Sequence, residues 1–317
     1  MPLVEIAGLS ITLGAANGNK VHAVRRLDLA IERGTIHGLI GESGCGKTIT
    51  GMALLGLLPR GFKVAAERFR FDGMDLSEAA PRLRGQRIAM ISQDPAAALN
   101  PVLSIGRQID DVLRRRGMPR GERRAQAMEL LAATGLPDPA LVLRSYPHQL
   151  SGGMQQRVVI AQALATGADF LIGDEPTTAL DVTIGAQVLA LLRDLVTKRG
   201  LTVLLISHDM DVVAACCDSA TMLYAGESVE AGPVGELLSL PRHPYTRALL
   251  AALPDTAPKG QRLAAIEGHI PPSYEVIAAC PFAPRCPSVM DVCRVDAPEP
   301  HVSGGRSWSC HLAGVDG

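Results

Sequence analysis

The chain has 317 residues, 47% hydrophobic and 20% charged, with a formal net charge of −1. That length allows one large domain and a smaller one, and the near-neutral balance excludes a global field for nucleic acid or anionic lipid. Aromatics are only 3%, so the core is aliphatic, and no apolar run reaches the roughly 18–20 residues of a membrane span. The N-terminus, Met-Pro-Leu-Val-Glu-Ile, lacks a basic start followed by an apolar core, so a chain that stays in the cytosol with reduced cysteines is expected.

In chain order, residues 4–6, 10–13 and 27–31 read as short strands separated by turn signals, among them Asn17-Gly18. Residues 35–40 form an apolar run that reads as a buried strand. The loop 41–48, Gly-Glu-Ser-Gly-Cys-Gly-Lys-Thr, follows it and precedes an expected helix over 49–58 that tolerates Gly51 and Gly56. Residues 68–71 with Asp72-Gly73 suggest a hairpin, and 87–92 a further strand ending at Gln93. From about 99 to 167 the pattern is mostly helical. Ile105, Ile109, Val112 and Leu113 share one face, and Ala127, Leu130, Leu131 and Thr134 another, closed by Gly135 and Pro137. Strands resume at 170–173 and 202–206, around a helical stripe of Val188, Leu191, Leu192, Leu195 and Val196. Strands alternating with helices imply an α/β fold. Its expected parts are an N-terminal antiparallel β layer, a mostly parallel core sheet and an inserted helical subdomain. After about residue 235 Pro, His, Cys and Arg rise and periodicity fades, which places a boundary between 1–235 and 236–317.

The loop 41–48 has the order a phosphate cradle needs. Gly41, Gly44 and Gly46 let the backbone turn its N–H groups inward, and the following helix N-terminus adds partial positive charge. Lys47 can reach the β- and γ-phosphates, and the Thr48 hydroxyl can hold Mg²⁺. Asp174 and Glu175 follow the apolar strand at 170–173, and neighbouring residues at a strand end point to opposite sides. One carboxylate can therefore hold Mg²⁺ while the other orients or deprotonates a water aimed at the γ-phosphate. Ser151-Gly152-Gly153 precedes an expected helix over 155–164. Ser151 is its natural N-cap, with N–H groups beside it that suit a second anion site.

With these motifs in this order, residues 1–235 resemble the nucleotide-binding subunits of ABC transporters. The matching stretches are the Walker A loop 41–48, the Q-loop at Gln93 and the signature Leu150-Ser151-Gly152-Gly153-Met154. They continue with the Walker B strand ending at Asp174-Glu175, the D-loop Ala179-Leu180-Asp181 and the switch His208. The resemblance implies an ABC-type P-loop ATPase with ATP and Mg²⁺ as its ligands. ATP would lie on Gly41, Ser43, Gly44, Cys45, Gly46, Lys47, Thr48 and Ile49. Mg²⁺ would be held by Thr48, Gln93 and Asp174, with Glu175 as catalytic base and His208 and Gln93 completing the catalytic set. Ser151, Gly152, Gly153, Gln149 and Asp181 would contact the ATP bound to a second subunit, so that two ATPs close a head-to-tail dimer. In two places the chain departs from the common pattern. Leu13 stands where many members stack an aromatic on adenine, with Val21 and His22 as neighbouring alternatives. Cys45 stands where Ser is more usual.

His243-Pro244-Tyr245 and the later Cys280-Pro-Phe-Ala-Pro-Arg-Cys286-Pro resemble the C-terminal extension of the ATPases that drive dipeptide, oligopeptide and nickel importers. Cys280, Cys286, Cys293 and Cys310 are separated by 5, 6 and 16 residues, wider than the tight pairs of zinc ribbons. Four thiolates suit either zinc or a four-iron cluster, with free thiols as the third reading, and the resemblance implies a 4Fe-4S cluster in a small cysteine-rich extension. His243 and Tyr245 are not read as ligands; Pro244 is expected to fix a turn and Tyr245 to pack the linker. The resemblance further implies two membrane permease subunits and a second, homologous ATPase in a heterodimer. A binding protein outside the membrane would deliver substrate, and the chain would lie peripherally on the cytoplasmic face. The expected cargo is a dipeptide or oligopeptide, with nickel or a metal chelate as the alternative. A soluble ABC ATPase acting on DNA or ribosomes is the rival from another class. Such repair proteins carry a long coiled coil, and such translation factors two cassettes; this chain shows neither, so no nucleic-acid partner is expected.

Overall fold

The computed structural model describes residues 1–14, 20–253, 266–273, 275 and 277–314. They form two compact units, residues 1–78 with 206–317 and residues 79–205. The turn expected at Asn17-Gly18 lies outside the described residues.

In the first unit the strands Val4–Gly14 and Lys20–Ile31 pair antiparallel, burying Val4, Ile6, Leu9 and Ile11. The two runs expected at 4–6 and 10–13 are a single strand. Gly8, at φ +60, sits where the register slips between Ile6 and Leu9, and such a bulge lets the strand continue. Phe62–Ala65 and Arg68–Phe71 both pair with Val4–Gly14, and Arg68–Phe71 turns back to Met74–Asp75. Asp72 and Gly73 both have positive φ, as that hairpin turn requires.

Ile36–Ile40 is buried along its whole length and runs parallel to Ser219–Tyr224. That pattern is expected of a strand covered on both faces. Gly38 lies against Val213 and Cys217, at the helix Met210–Cys216, where an added Cβ would come within 3.1 and 3.3 Å. Ser219–Tyr224 pairs antiparallel with Glu227–Pro233, which takes Arg306–Trp308 alongside it. The end of the chain thus joins the same sheet as the loop-bearing strand.

In the second unit Ile88–Ile91 runs parallel to Phe170–Asp174. The helices Ile105–Arg115, Arg120–Ala133 and Gly152–Ala165 pack on one another through Ile105, Ile109, Leu113, Ala127, Leu130 and Leu131. Ser104, Ser151 and Asp181 each cap the helix that follows with a side-chain oxygen. Val182–Arg199 ends at Gly200, whose φ of 65 gives the left-handed stop. Val188, Leu192, Leu195 and Val196 form its buried stripe, as their spacing predicts, while Leu191, expected on the same stripe, is only half-buried.

Candidate functional site: a phosphate loop and a carboxylate pair

The loop 41–48 leaves the buried strand Ile36–Ile40 and enters the helix Lys47–Leu54 through Gly46, at φ 106. Its glycines are structural necessities. A Cβ on Gly41 would lie 2.1 Å from the Leu223 carbonyl oxygen, and one on Gly46 2.5 Å from that of Ala23. Over Gly44, by contrast, an added Cβ would meet nothing within 4 Å, so the loop keeps an open face there. Ser43, Gly44 and Thr48 are exposed on the loop, while Cys45 and Lys47 are buried. Lys47 Nζ donates to the Gly41 and Glu42 carbonyl oxygens at 2.7 and 3.0 Å, which folds the side chain back along the loop. Glycine-shaped backbone, a buried ammonium and an exposed hydroxyl at a helix start fit a magnesium–triphosphate group. The helix is shorter than its expected span of 49–58. It tolerates Gly51, but Gly56 takes φ 62 and ends it.

Cys45 is a buried packing residue. Burial pushes its thiol pKa up against the opposing pull of Lys47, and its sulfur would lie 2.7 Å from a Cβ on Gly41.

In the second unit the buried strand Phe170–Asp174 delivers Asp174, 6% exposed, and then Glu175. Glu175 has φ 46, a left-handed backbone that costs a non-glycine residue about 1–3 kcal/mol and concentrates at functional positions. Its Oε2 accepts from Gln93 Nε2 at 3.2 Å and from the Thr178 hydroxyl at 3.1 Å. The structure therefore brings Gln93 and Glu175 together, and adds Thr178, which no sequence motif singled out.

Ser151 is exposed and its hydroxyl accepts from the Met154 N–H at 3.4 Å, starting the helix Gly152–Ala165 earlier than the expected residue 155. A Cβ on Gly153 would lie 2.6 Å from Ile184 Cγ2, and one on Gly152 3.9 Å from Leu180. The signature glycines thus sit against the start of Val182–Arg199. Asp181 is exposed and committed to capping that helix, accepting from the Ile184 N–H at 2.9 Å. Gln149 is likewise engaged, its Oε1 accepting from the Tyr146 N–H at 2.8 Å. His208 follows the strand Thr202–Ser207 and is exposed. Leu13, Val21 and His22 are all half-buried, and burial lowers the His22 pKa, aided by Arg25 and Lys20.

The four tail cysteines line one apolar pocket with His243, Phe282 and His311, and all four are free thiols. Among the described residues no group of three or more His, Cys, Asp or Glu side chains could hold a metal ion. Burial pushes Cys280 up to about 11 and raises Cys286 and Cys310 as well. The 4Fe-4S cluster expected at Cys280, Cys286, Cys293 and Cys310, and zinc as its alternative, are corrected accordingly. Tyr245 packs as its sequence context suggested. It is fully buried against Tyr224 and Phe282, with ring centroids 4.7 and 5.5 Å away. Its hydroxyl, which sequence reasoning missed, accepts from the Glu42 N–H at 3.1 Å. Pro244 opens the helix Pro244–Ala251, with His243 as its cap.

Residues 24–178 match the family described as ABC transporter, and residues 229–293 that described as oligopeptide/dipeptide transporter, C-terminal region. The dipeptide transport ATP-binding protein DppD of Escherichia coli is 41% identical, over 98% of this chain and 97% of that protein. DppD of Bacillus subtilis is 43% identical, over 87% of this chain and 84% of its own length. Among solved structures, the ATP-binding cassette MJ0796 in a dimeric post-hydrolysis state with ADP and Pi aligns with a TM-score of 0.60 and 27% identity, over 73% of this chain and 98% of that one. CbiO1 of Clostridium perfringens aligns with a TM-score of 0.63 and 26% identity, over 74% and 92%. The solved MJ0796 cassette is described as dimeric, and the expected heterodimer with a second, homologous ATPase is corrected, since the relatives do not support it.

Proposed function

The chain belongs to the ABC transporter ATP-binding family, and from that premise we propose that it is the ATP-hydrolysing motor of an importer for dipeptides or oligopeptides. Identity of 41% along 98% of the chain with a dipeptide transport ATP-binding protein supports the peptide cargo, as does the match of residues 229–293. No described helix is long and apolar enough to cross a membrane. The chain works from the cytoplasmic face against two permease subunits, which receive substrate from a binding protein outside. Residues 1–235 form the motor and 236–317 an extension. The helical arm near residues 93–101 offers the permease a docking place, with Val102 exposed beside it.

The contact between Gln93 and Glu175 carries the mechanistic reading. Gly41, Ser43, Gly44, Cys45, Gly46, Lys47, Thr48 and Ile49 bind the phosphates, with Lys47 exchanging its carbonyl partners for phosphate oxygens. Thr48, Gln93 and Asp174 would hold Mg²⁺, which supplies neutralising charge when bound. Glu175 takes the proton of the attacking water. Gln93 and the Thr178 hydroxyl, both donating to Glu175 Oε2, fix the orientation of the carboxylate that acts as base. His208 hydrogen-bonds the γ-phosphate. Ser151, Gly152, Gly153, Gln149 and Asp181 of a paired cassette cover the nucleotide, so ATP closes the dimer and hydrolysis opens it.

Dipeptide uptake by cells whose only copy of the gene is wild type or Glu175→Gln tests the reading. Uptake with the wild type and none with the variant is expected. Equal uptake by both, or nickel uptake in place of dipeptide, overturns it.

A further inference from the structure

The phosphate loop does not stand alone at its second residue. Glu42 is held through three groups: its N–H donates to the Tyr245 hydroxyl, its carbonyl accepts from Lys47, and its carboxylate receives Arg285. Arg285 belongs to the tail, 243 positions away. Its Nη1 lies 2.9 Å from Glu42 Oε1 and its Nη2 3.2 Å from Oε2, the two-pronged geometry that fixes a carboxylate in direction as well as place. The same guanidinium reaches the Tyr224 hydroxyl at 3.3 Å and the Ile266 and Glu267 carbonyls at 3.0 Å each. Its side chain is only 4% exposed, that of Glu42 28%. Arg285 follows Phe282, which packs edge-on to Tyr224 at 5.1 Å, so the arginine is anchored from behind.

We propose that Arg285 is a positioning residue for the phosphate loop, acting through Glu42, so that nucleotide affinity depends on the fold of the C-terminal tail. The inference rests on the reading of residues 41–48 as the ATP site. Two physical effects act in the same direction. Arg285 neutralises a carboxylate carried by the phosphate loop, whose negative charge would otherwise disfavour a bound triphosphate. It also immobilises the residue whose carbonyl, with that of Gly41, parks the Lys47 ammonium. A disturbance of the tail therefore reaches the nucleotide without any tail residue touching it.

The test is titration of the full-length chain with Mg·ATP at a temperature where the protein is folded by circular dichroism. Arg285→Ala is expected to bind about tenfold more weakly, the scale of losing a charge-assisted hydrogen-bonded pair. Arg285→Lys is expected to recover part of that loss, because charge returns without the fork. In Arg285→Ala/Glu42→Gln the losses must not multiply, because both substitutions break one contact. Should Arg285→Ala fail to fold, Arg285→Lys, Glu42→Gln and their double variant carry the same test of non-additivity. Wild-type binding with unchanged affinity in Arg285→Ala, or multiplying losses in the double variant, overturns the inference alone. Absence of binding in the wild type overturns the ATP-site reading, and the inference with it.

Discussion

The phosphate loop and the tail belong to the same unit but are held by opposite means. The loop is shaped by side chains that are missing: Gly41 and Gly46 let backbone approach backbone where any Cβ would collide with a carbonyl. Among its described residues the tail has little regular structure beyond the helix Pro244–Ala251, short helical turns and two three-residue strands, and it is held by buried charge. Glu230, 1% exposed on the strand Glu227–Pro233, gathers both of its ends. It accepts from the Arg242 and His243 N–H groups at 2.8 and 2.9 Å and from Arg306 Nη2 at 2.9 Å. The contrast teaches that backbone fit shapes the chemistry of the loop, while single ion pairs fasten an irregular segment onto it. Cysteines suggested the fastening, and carboxylates supply it.

The loop side of this contrast breaks most sharply at Gly41. Gly41→Ala places a Cβ 2.1 Å from the Leu223 oxygen, so strand or loop must shift. Mg·ATP affinity should fall about a thousandfold, near 4 kcal/mol. Calorimetric titration reads it, and wild-type affinity would show that the loop's shape tolerates a side chain.

On the tail side, Glu230→Leu leaves buried Arg306 with only the longer carboxylate contact, to the exposed Glu236 at 3.6 Å, and leaves two N–H groups without an acceptor. Stability should drop by about 3–5 kcal/mol in denaturant titration. A loss below about 1 kcal/mol would show that Glu230 does not fasten the tail.

A smaller effect sharpens the contrast through pH. Burial lowers His37 to about 4, and burial with nearby Arg247 lowers His243 to about 3. The unfolded chain takes up these protons below its ordinary value of about 6.5, whereas the folded protein resists until pH reaches the lowered values. Their contribution is complete above about pH 6.5 and shrinks as pH falls, by about 2 kcal/mol per histidine at pH 5. His37→Asn should lose about 2 kcal/mol less than the wild type between pH 7 and 5. Parallel losses in the two proteins would contradict this.

Local pattern made one part of the molecule legible. The largely apolar run before Gly41, the stripe Val188–Leu192–Leu195–Val196 (with Leu191 only half-buried) and the Ser151 cap are written in neighbouring residues, and the structure keeps them. Element ends were harder, because the positive φ of Gly56 depends on how the chain leaves the helix. What stayed hidden was long-range. Glu230 looks like any polar residue in a strand, and nothing near Glu42 announces an arginine 243 positions later. Thr178 carries no motif, and its role emerges only where its hydroxyl meets Glu175. The cysteine spacing misled because spacing does not say whether the side chains converge in a geometry that could hold a metal, and among the described residues none do.

The most direct test of the account is ATP turnover by the importer assembled with its permeases, comparing wild type with Glu175→Gln. The amide keeps the shape and the Gln93 contact but cannot take a proton, so turnover should fall by about a hundredfold to ten-thousandfold while Mg·ATP stays bound. Turnover at the wild-type rate in Glu175→Gln would contradict it.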